Sequence, residues 1–316
     1  MINRADLLSA HQIIKGLIHN TPVLTAASIN AILEMDLYFK CENLQKVGAF
    51  KIRGATHAVF TLSQTEMKFG VATHSSGNHA AALALAARWK KIPAEVVMPI
   101  SSPRVKVEAV RGYGANITFC EPNQEAREST LNKILEKTGA TFIHPYNNEK
   151  IIAGQSTAAL EMLEKIPNLE YLITPVGGGG LLSGTLLACQ YFYPHVRVIG
   201  AEPQGADDAF RSLQQNRIIP SISPKTIADG LLTSLGSLTF PIIQQYVDKI
   251  ITVKETSIIQ AMRMVWERMK IIIEPSSAVP MAAVLENRDF FQGKRIGIIL
   301  SGGNVDLGKL PFNSGD

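Results

Sequence analysis

Short apolar runs alternate with longer amphipathic stretches along almost the whole of this chain. Residues 37–41, 172–176 and 296–300 are runs that predict buried strands, whereas residues 80–89 and 151–165 show the spacing of helices. Strands that are apolar on both faces and separated by helices are typical of parallel sheets with helices on each side. The alternation therefore predicts an α/β fold of three-layer α/β/α build with mostly parallel sheets.

The predicted strands fall into two groups, which indicates two domains. Three strand-and-helix units lie between about residues 70 and 145, and they are enough for a small sheet of their own. The remaining strands come from both ends of the chain and would share a larger sheet. We expect a large domain formed by residues 1–69 and 148–316 and a small domain formed by residues 70–147.

The composition argues against several classes of function. The 31 basic and 27 acidic residues give a net charge of +4 without basic blocks, so neither nucleic acid nor membrane lipid is expected as a partner. The three cysteines are far apart and odd in number, which is typical of a reducing compartment. The first residues lack the apolar core of a signal peptide, and no apolar run reaches membrane-spanning length. We therefore expect a cytoplasmic protein.

Four consecutive glycines, Gly177–Gly180, follow the predicted strand at 172–176 and precede a helical pattern. We call this segment the tetraglycine loop. Residues without a Cβ allow backbone N–H groups to converge on an anion at the positive end of the following helix. The loop matches neither a Walker motif nor a dinucleotide fingerprint. The alternative is a tight turn with close packing, but four glycines are more than a turn needs, so phosphate binding is favoured.

A second polar segment, residues 73–79, also lies between a predicted strand and a predicted helix. Its sequence is Thr-His-Ser-Ser-Gly-Asn-His, and such small hydrogen-bonding residues at a helix N-terminus suit a bound carboxylate. The alternative is a helix that is simply well capped by Ser75 or Ser76. This segment alone does not decide between the two.

Two further segments contribute candidate functional groups. Lys51 is flanked by Phe50 and Ile52, and partial desolvation there would lower its pKa and free the amine as a nucleophile. The alternative is an ordinary surface lysine at the start of a helix. Residues 300–304, Leu-Ser-Gly-Gly-Asn, form another turn at a strand end, which a ligand could approach closely.

Taken together, these four segments resemble the type II fold family of pyridoxal-phosphate enzymes, the fold of the tryptophan synthase β chain. The sequence Ala-Phe-Lys-Ile-Arg-Gly around Lys51 is similar to the branch of threonine dehydratases, serine dehydratases and serine racemases. The resemblance extends from Thr21 to Asp306. It implies two three-layer α/β/α domains, a large one that binds pyridoxal 5'-phosphate and a small one on the substrate side. It also implies a homodimer.

The resemblance implies a set of contacts to the cofactor. Lys51 would form an imine with the cofactor and later move the proton of the substrate Cα. Ser301 would face the pyridine nitrogen, and a neutral hydroxyl there favours β-elimination over a long-lived carbanion. The remaining implied contacts are Phe50 beside the ring, Asn78 at the ring hydroxyl, and Gly177, Gly178, Gly179, Gly180 and Leu181 around the phosphate.

The resemblance also implies substrate and metal contacts. Ser76 would be the second proton carrier that a racemase needs, on the substrate face opposite Lys51. The implied substrate residues are Ser75, Ser76, Asn78 and His79 at the carboxylate, with Arg127 and Glu128 at the entrance. The implied metal site, for Mg²⁺ or Ca²⁺, is formed by Glu202, Asp208 and the carbonyl of Ala206. The alternative for these two carboxylates is a solvated loop.

Four positions depart from the racemases of this family. Ala81 replaces a common glutamine, and Tyr146 replaces an asparagine beside the cofactor. Leu232 and Thr233 replace a polar pair near the substrate. These departures weaken an assignment as a racemase alone and leave the cofactor chemistry untouched.

The function implied by the resemblance is that of an L-threonine/L-serine dehydratase, a lyase that converts a small hydroxy amino acid into a 2-oxo acid and ammonia. The first alternative is a serine racemase with dehydratase side activity, and a β-replacement enzyme ranks third. A hypothesis of another class is a non-catalytic protein that binds a nucleotide or phosphate. That hypothesis explains the tetraglycine loop but not the combination of Lys51, Asn78 and Ser301.

Overall fold

A computed structural model describes residues 2–75, 77–102 and 104–313 of the chain. The described residues contain ten strands, and most of them are short and buried, as the apolar runs predict. The strands are β1 (Val23–Leu24), β2 (Asp36–Cys41), β3 (Val71–His74), β4 (Ala94–Pro99), β5 (Asn116–Cys120), β6 (Thr141–Phe142), β7 (Tyr171–Pro175), β8 (Arg197–Pro203), β9 (Lys249–Val253) and β10 (Arg295–Leu300).

Helices connect nearly all of these strands and supply the outer layers of the fold. They are α1 (Arg4–Ile14), α2 (Ala27–Leu33), α3 (Lys51–Phe60), α4 (Gln64–Phe69), α5 (Asn78–Lys90), α6 (Arg104–Gly112), α7 (Gln124–Thr138), α8 (Glu149–Lys165), α9 (Gly180–Phe192), α10 (Asp208–Gln215), α11 (Thr239–Tyr246), α12 (Glu255–Met269), α13 (Pro275–Glu286) and α14 (Arg288–Phe291). Short 3₁₀ turns occupy several of the remaining loops, among them residues 42–44 and 204–206.

The strands form two sheets. The larger sheet has the order β1-β2-β10-β7-β8-β9, and only β1 runs antiparallel to its neighbour. The smaller sheet has the order β5-β4-β3-β6 and is parallel throughout. Its strands all come from residues 71–142. The α/β fold with mostly parallel sheets is therefore confirmed, whereas the domain boundaries at 69/70 and 147/148 stay a prediction.

Each sheet is packed between helices on both faces. Apolar residues of α2, α12 and α13 cover one face of the larger sheet, and those of α1, α8, α9 and α11 cover the other. The smaller sheet packs against α3, α5 and α6 on one side and against α7 on the other. Burial on both faces explains why the strands are apolar at successive positions rather than at alternate ones. Within the described ranges, no helix is both long and apolar enough to cross a membrane.

A cluster of four buried charges joins the start of α3 to the end of β2 and to α8. Arg53 donates to Glu42 from Nε (2.6 Å) and Nη2 (2.8 Å), and to Glu161 from Nη1 and Nη2 (both 2.8 Å). Lys40 donates to the same Glu161 carboxylate at 2.6 Å. None of the four side chains is more than 5% exposed. Burial alone would raise the pKa of Glu161, but the bonds and charges of Arg53 and Lys40 outweigh it and lower that pKa.

We predict that Glu161→Gln lowers the free energy of unfolding by about 3–5 kcal/mol, because it leaves Arg53 and Lys40 with an uncompensated buried charge. The matched control is Glu108→Gln, which breaks an ion pair with Arg104 in which the two side chains are 55% and 91% exposed. That change should have little effect on the free energy of unfolding, because solvent screens the exposed pair. Urea denaturation of the two variants measures both costs, and equal costs would contradict a stabilising role for the cluster.

Candidate active site

A cleft lies between the two sheets, at the carboxyl ends of their parallel strands. Most of the site residues predicted from the sequence line it together. They are Phe50, Lys51, Ser75, Asn78, His79, Arg127, the tetraglycine loop, Leu181 and Ser301. Glu202, Ala206 and Asp208 lie outside the cleft, and Ser76 lies outside the described residues. The convergence of segments so far apart in sequence is what a binding site in an open α/β sheet requires.

Lys51 is the first residue of α3, and its amine points into the cleft. The Nζ atom donates to the carbonyl oxygen of Pro145 at 3.1 Å. Burial lowers the pKa of Lys51 to about 8, and the negative charge of Glu274 opposes that shift. At pH 7 roughly a tenth of the amine is therefore unprotonated and nucleophilic, far more than for a lysine in water. The alternative of an ordinary surface lysine does not fit this position.

The chain around Lys51 is tied to the turn after β10. The N–H of Phe50 donates to the carbonyl oxygen of Ser301 at 3.0 Å, and Ala49 forms a bridge with Gly302. Ser301 is almost fully buried and lines the cleft. These bonds fix the reactive amine and the Ser301 hydroxyl to one another, although 250 residues separate them in sequence.

The tetraglycine loop runs from the end of β7 into the first turn of α9. Gly179 caps the helix with φ of 85°, in the left-handed region that favours glycine. The other three glycines are needed for space. A Cβ on Gly178 would lie 2.3 Å from the Tyr146 ring, and one on Gly177 would lie 3.1 Å from Leu231 Cα. A glycine loop that lines the cleft at the start of a 13-residue helix can turn its backbone N–H groups toward a phosphate.

Asn78, at the start of α5, belongs to a hydrogen-bonded chain that crosses the cleft. Its Nδ2 donates to Glu274 Oε1 at 2.9 Å, and its Oδ1 accepts from Asn304 Nδ2 at 2.9 Å. Asn304 in turn donates to the carbonyl oxygen of Val47 at 2.7 Å. The chain connects the helix that follows β3 to the turns beside Lys51, so it aligns the two sides of the cleft.

Glu274 was not predicted as a site residue. It is almost fully buried, lines the cleft, and precedes the proline that begins α13. Burial, together with the charge of Asp229, raises the pKa of Glu274 to about 7. A sequence signal exists: a single carboxylate follows the apolar run Ile271–Ile273 and immediately precedes a helix. A carboxylate directly between an apolar run and a helix is uncommon unless it has a partner or a function.

The residues expected at the substrate carboxylate lie on the turn between β3 and α5. Ser75 Oγ accepts from the N–H of Gly77 at 3.4 Å, and the Ser75 N–H bonds to the carbonyl of Val97. His79 is buried, and its Nε2 bonds to the carbonyl oxygen of Ile143 at 3.2 Å. Burial keeps the pKa of His79 well below its usual range, so the ring is neutral. The single N–H of the neutral ring is used by the Ile143 carbonyl, so the backbone N–H groups at the start of the 13-residue helix α5 are the donors that suit a bound carboxylate.

Arg127 lies farther out in the cleft, on the first turn of α7. Its Nε donates to the carbonyl oxygen of Asn123 at 3.3 Å, and it makes no ion pair within the described part of the chain. The neighbouring Glu128 accepts a hydrogen bond from Gln124 instead. The Arg127 guanidinium is therefore available to an anionic group in the cleft.

Two histidines that were not predicted as site residues complete this side of the cleft. His74 and His144 pack edge to face, with ring centroids 6.1 Å apart. Burial lowers the pKa of His144 to about 4, and the charges of His74 and Lys51 add to that effect. The pKa of His74 is lowered by burial and by Arg127. Both rings are consequently neutral near pH 7.

Glu202 and Asp208 lie at the end of β8 and the start of α10, and both are buried. Glu202 accepts from the N–H groups of Ala209 and Phe210, both at 2.9 Å. Neither oxygen of Asp208 makes a hydrogen bond of ordinary geometry to a described residue. Burial raises the pKa of Glu202 to about 9 and that of Asp208 to about 6. The two side chains are not solvated, so the alternative of a solvated loop does not hold.

A cation fits this pair of carboxylates, because two buried acids without a basic partner are costly unless they are protonated or bind a metal. Ala206 is also buried, in the 3₁₀ turn between them. No group of three or more metal-binding side chains occurs among residues 2–75, 77–102 and 104–313, so carbonyl oxygens or water would have to complete the coordination.

We predict that Glu274→Gln changes the pH dependence of stability. The ordinary pKa of this side chain is 4.5 and its pKa in the folded protein is about 7. Folding therefore favours the protonated form of Glu274. The stability that this form contributes is fully present below pH 4.5 and is lost as the pH rises through 7, a loss of about 3 kcal/mol at most in the free energy of unfolding. Urea denaturation of ligand-free protein between pH 5 and 8 should show the variant gaining on the wild type as the pH rises. Glu108→Gln is the control, and parallel curves for Glu274→Gln and wild type would contradict the prediction.

Comparison with known proteins agrees with this geometry. The sequence model of a family described as pyridoxal-phosphate dependent enzymes matches residues 14–302. The chain is 49% identical over 308 residues to a β-hydroxyaspartate dehydratase of Paracoccus denitrificans, covering 98% of both chains. It is 52% identical over 309 residues to a serine racemase of Dictyostelium discoideum, covering 96% of this chain and 95% of the relative. The crystal structure of a T.th. threonine deaminase superposes with a TM-score of 0.92 at 40% identity, covering 96% of this chain and 99% of that one. The chain therefore belongs to the pyridoxal-phosphate dependent enzymes of fold type II, in the group that contains serine racemases and a β-hydroxyaspartate dehydratase.

Proposed function

We propose that this protein is a dehydratase of small β-hydroxy amino acids, with L-threonine and L-serine as substrates. The observation that carries the proposal is the Lys51 amine, whose pKa is about 8 and which shares one cleft with the tetraglycine loop, Asn78 and Ser301. The reaction removes water across Cα and Cβ, and hydrolysis then releases ammonia. L-serine gives pyruvate and L-threonine gives 2-oxobutanoate.

The residues present fit pyridoxal phosphate. Lys51 would hold it covalently, the tetraglycine loop and the start of α9 would hold its phosphate, and Asn78 and Ser301 would contact its ring. When bound, the cofactor supplies an electron sink for the bond that breaks at Cα. Phe50, which lies against the Lys51 side chain with its ring centroid 5.1 Å from Nζ, covers one side of this position.

The chain itself supplies the acid–base chemistry and the orientation. Lys51 Nζ can accept the Cα proton, because its lowered pKa leaves the amine partly unprotonated at neutral pH. The carbonyl of Pro145 accepts from that amine and so restricts its direction. The Ser75 hydroxyl and the backbone N–H groups of Asn78 and His79 would hold the substrate carboxylate at the start of α5. A carboxylate fixed there orients Cα toward Lys51.

The principal test is Lys51→Ala, which should abolish turnover of both substrates and leave no site for covalent attachment of the cofactor. The matched control is Lys46→Ala, because Lys46 lies on a neighbouring turn with its amine over the Trp89 ring, outside the cleft. Borohydride reduction followed by peptide mass spectrometry should locate the cofactor at residue 51 in the wild type and in the control. Attachment that persists elsewhere in Lys51→Ala would contradict the assignment.

A serine racemase is the alternative, and the 52% identity to the D. discoideum enzyme favours it. Racemisation needs a second proton carrier opposite Lys51, for which Ser76 is the proposed residue. Tyr146 and Thr233, which differ from the racemase pattern, both line the cleft and favour dehydration. Chiral analysis of the products from L-serine decides between the two: absence of D-serine removes the alternative.

A third substrate, 3-hydroxyaspartate, is favoured by the Arg127 guanidinium. A free cation in the cleft suits a second carboxylate, and the Paracoccus relative carries the name of a β-hydroxyaspartate dehydratase. Measuring the rate of 2-oxo acid formation from L-serine, L-threonine and 3-hydroxyaspartate under the same conditions ranks the three substrates. The homodimer and the cytoplasmic location remain predictions.

We also propose that Glu202, Asp208 and the Ala206 carbonyl bind Mg²⁺ or Ca²⁺. The unsatisfied, buried Asp208 carboxylate is the observation that supports it. The ion would neutralise this pair and order the loop between β8 and α10, without taking part in bond chemistry.

Chelation should therefore lower the unfolding temperature, and added Mg²⁺ or Ca²⁺ should restore it. Asp208→Asn should lose this response, whereas Asp207→Asn, whose carboxylate pairs with Arg211 on the surface, should keep it. The measurement is thermal unfolding with metal content checked by mass spectrometry. A metal-free wild type that unfolds at the same temperature as the loaded protein would contradict the proposal.

A further inference from the structure

Tyr146 lies between the two ends of the proposed cofactor site. Pro145, immediately before it, supplies the carbonyl that accepts from the Lys51 amine at 3.1 Å. The Tyr146 ring then lies flat against the tetraglycine loop: a Cβ on Gly178 would be 2.3 Å from Cδ1 and Cγ and 2.4 Å from Cε1. A Cβ on Gly180 would be 2.9 Å from Tyr146 Cβ. The two residues Pro145 and Tyr146 thus contact both the Lys51 amine and the tetraglycine loop.

The ring is held in this place from several directions. The His144 ring meets it edge to face, with centroids 4.5 Å apart and an interplanar angle of 88°. The N–H of Tyr146 donates to His144 Nδ1 at 3.3 Å, and the N–H of Asn147 donates to the same atom at 2.9 Å. Burial raises the pKa of the Tyr146 phenol, and an interaction with the Thr233 side chain opposes that shift. The His144 contacts, with the Gly178 contact, define the position of the ring.

Gly178 differs from Gly179 in the reason for its lack of a side chain. Gly179 has φ of 85°, which disfavours any other residue, whereas the φ of Gly178 lies outside the left-handed region. The backbone at position 178 is therefore accessible to alanine. Glycine is required there because the Tyr146 ring occupies the space that a Cβ would take.

We propose that Tyr146 is a positioning residue, which sets the separation between the Lys51 amine and the tetraglycine loop. This inference rests on the proposed function, in which the cofactor is held at Lys51 at one end and at the loop at the other. A ligand anchored at two points binds well only if both anchors are held at the right separation. The Pro145 carbonyl and the Tyr146 ring connect those two anchors through adjacent residues. Gly178 is the complementary half of the same contact.

The test is a double-mutant cycle with Gly178→Ala, Tyr146→Ala and the double variant. Gly178→Ala should weaken pyridoxal-phosphate binding roughly ten- to hundredfold, since the added methyl group displaces either the ring or the loop. Tyr146→Ala should weaken it by about tenfold. In the double variant the methyl group has space, so affinity should return to that of Tyr146→Ala, which is strongly non-additive. Titration of cofactor-free protein by fluorescence measures the four affinities.

Gly179→Ala is the matched control. A Cβ at position 179 would meet Ile243, Leu235 and Thr239 rather than Tyr146, and its φ is unfavourable for alanine. Its loss of affinity should not be recovered by Tyr146→Ala. If Gly178→Ala fails to fold, the same test can be made on stability. The double variant should then fold, and its unfolding temperature should be close to that of Tyr146→Ala.

Two further readouts separate positioning from a general loss of structure. Tyr146→Phe keeps the ring and removes only the hydroxyl, so it should recover most of the affinity lost in Tyr146→Ala. The pH midpoint of the bound cofactor's visible absorption reports the surroundings of Lys51, and it should shift in Tyr146→Ala but not in Tyr146→Phe. If the wild type binds the cofactor at Lys51 but the effects of the two mutations on affinity are additive, the positioning role of Tyr146 is overturned and the proposed function stands. A wild type that does not bind pyridoxal phosphate overturns the proposed function as well.

Discussion

The buried charge cluster around Arg53 is the interaction on which the site depends. Arg53 lies two residues after Lys51, in the first turn of α3, and its guanidinium is bound by two carboxylates from different parts of the chain. Glu42 fixes it to the turn after β2, and Glu161 fixes it to α8. The start of α3 is consequently held on two sides, and this restrains the position of the Lys51 backbone. Loss of one partner from such a cluster leaves an uncompensated buried charge and is strongly destabilising.

In the cleft, burial moves the pKa values of a basic and an acidic side chain toward neutral pH from opposite directions. Loss of solvation lowers the pKa of Lys51 to about 8 and raises that of Glu274 to about 7. Each shift has the same physical origin, because burial disfavours whichever form is charged. The histidines nearby respond in the same way and become neutral donors or acceptors. The site therefore contains several groups that exchange protons or hydrogen bonds near pH 7 without strong local charge.

Local sequence patterns predicted the elements well and their mutual contacts poorly. The runs at 172–176 and 296–300 correspond to β7 and β10 within one residue at each end, and the tetraglycine loop precedes a helix as expected. Glu274 was missed because its partner, Asn78, is 196 residues away, and nothing in the sequence near either residue records their contact. The position of Tyr146 against Gly178 was missed for the same reason. Periodicity describes which face of an element is buried, but it does not identify the partner that covers it.

The order of strands in the larger sheet has a consequence for the order in which the protein folds during synthesis. β2 pairs with β10 along six residues, from Asp36 opposite Arg295 to Cys41 opposite Leu300, so β2 gains this neighbour only when almost the whole chain has been made. The smaller sheet, in contrast, draws all its strands from one continuous segment and closes over much shorter loops. During synthesis on the ribosome, the smaller sheet can form while β2 still lacks β10. The surroundings of Lys51, which include Ser301, are thus among the last to be completed. A nascent chain that has passed Gly180 but not reached Ser301 would contain the reactive lysine and the four glycines and still lack the Ser301 side of the cleft.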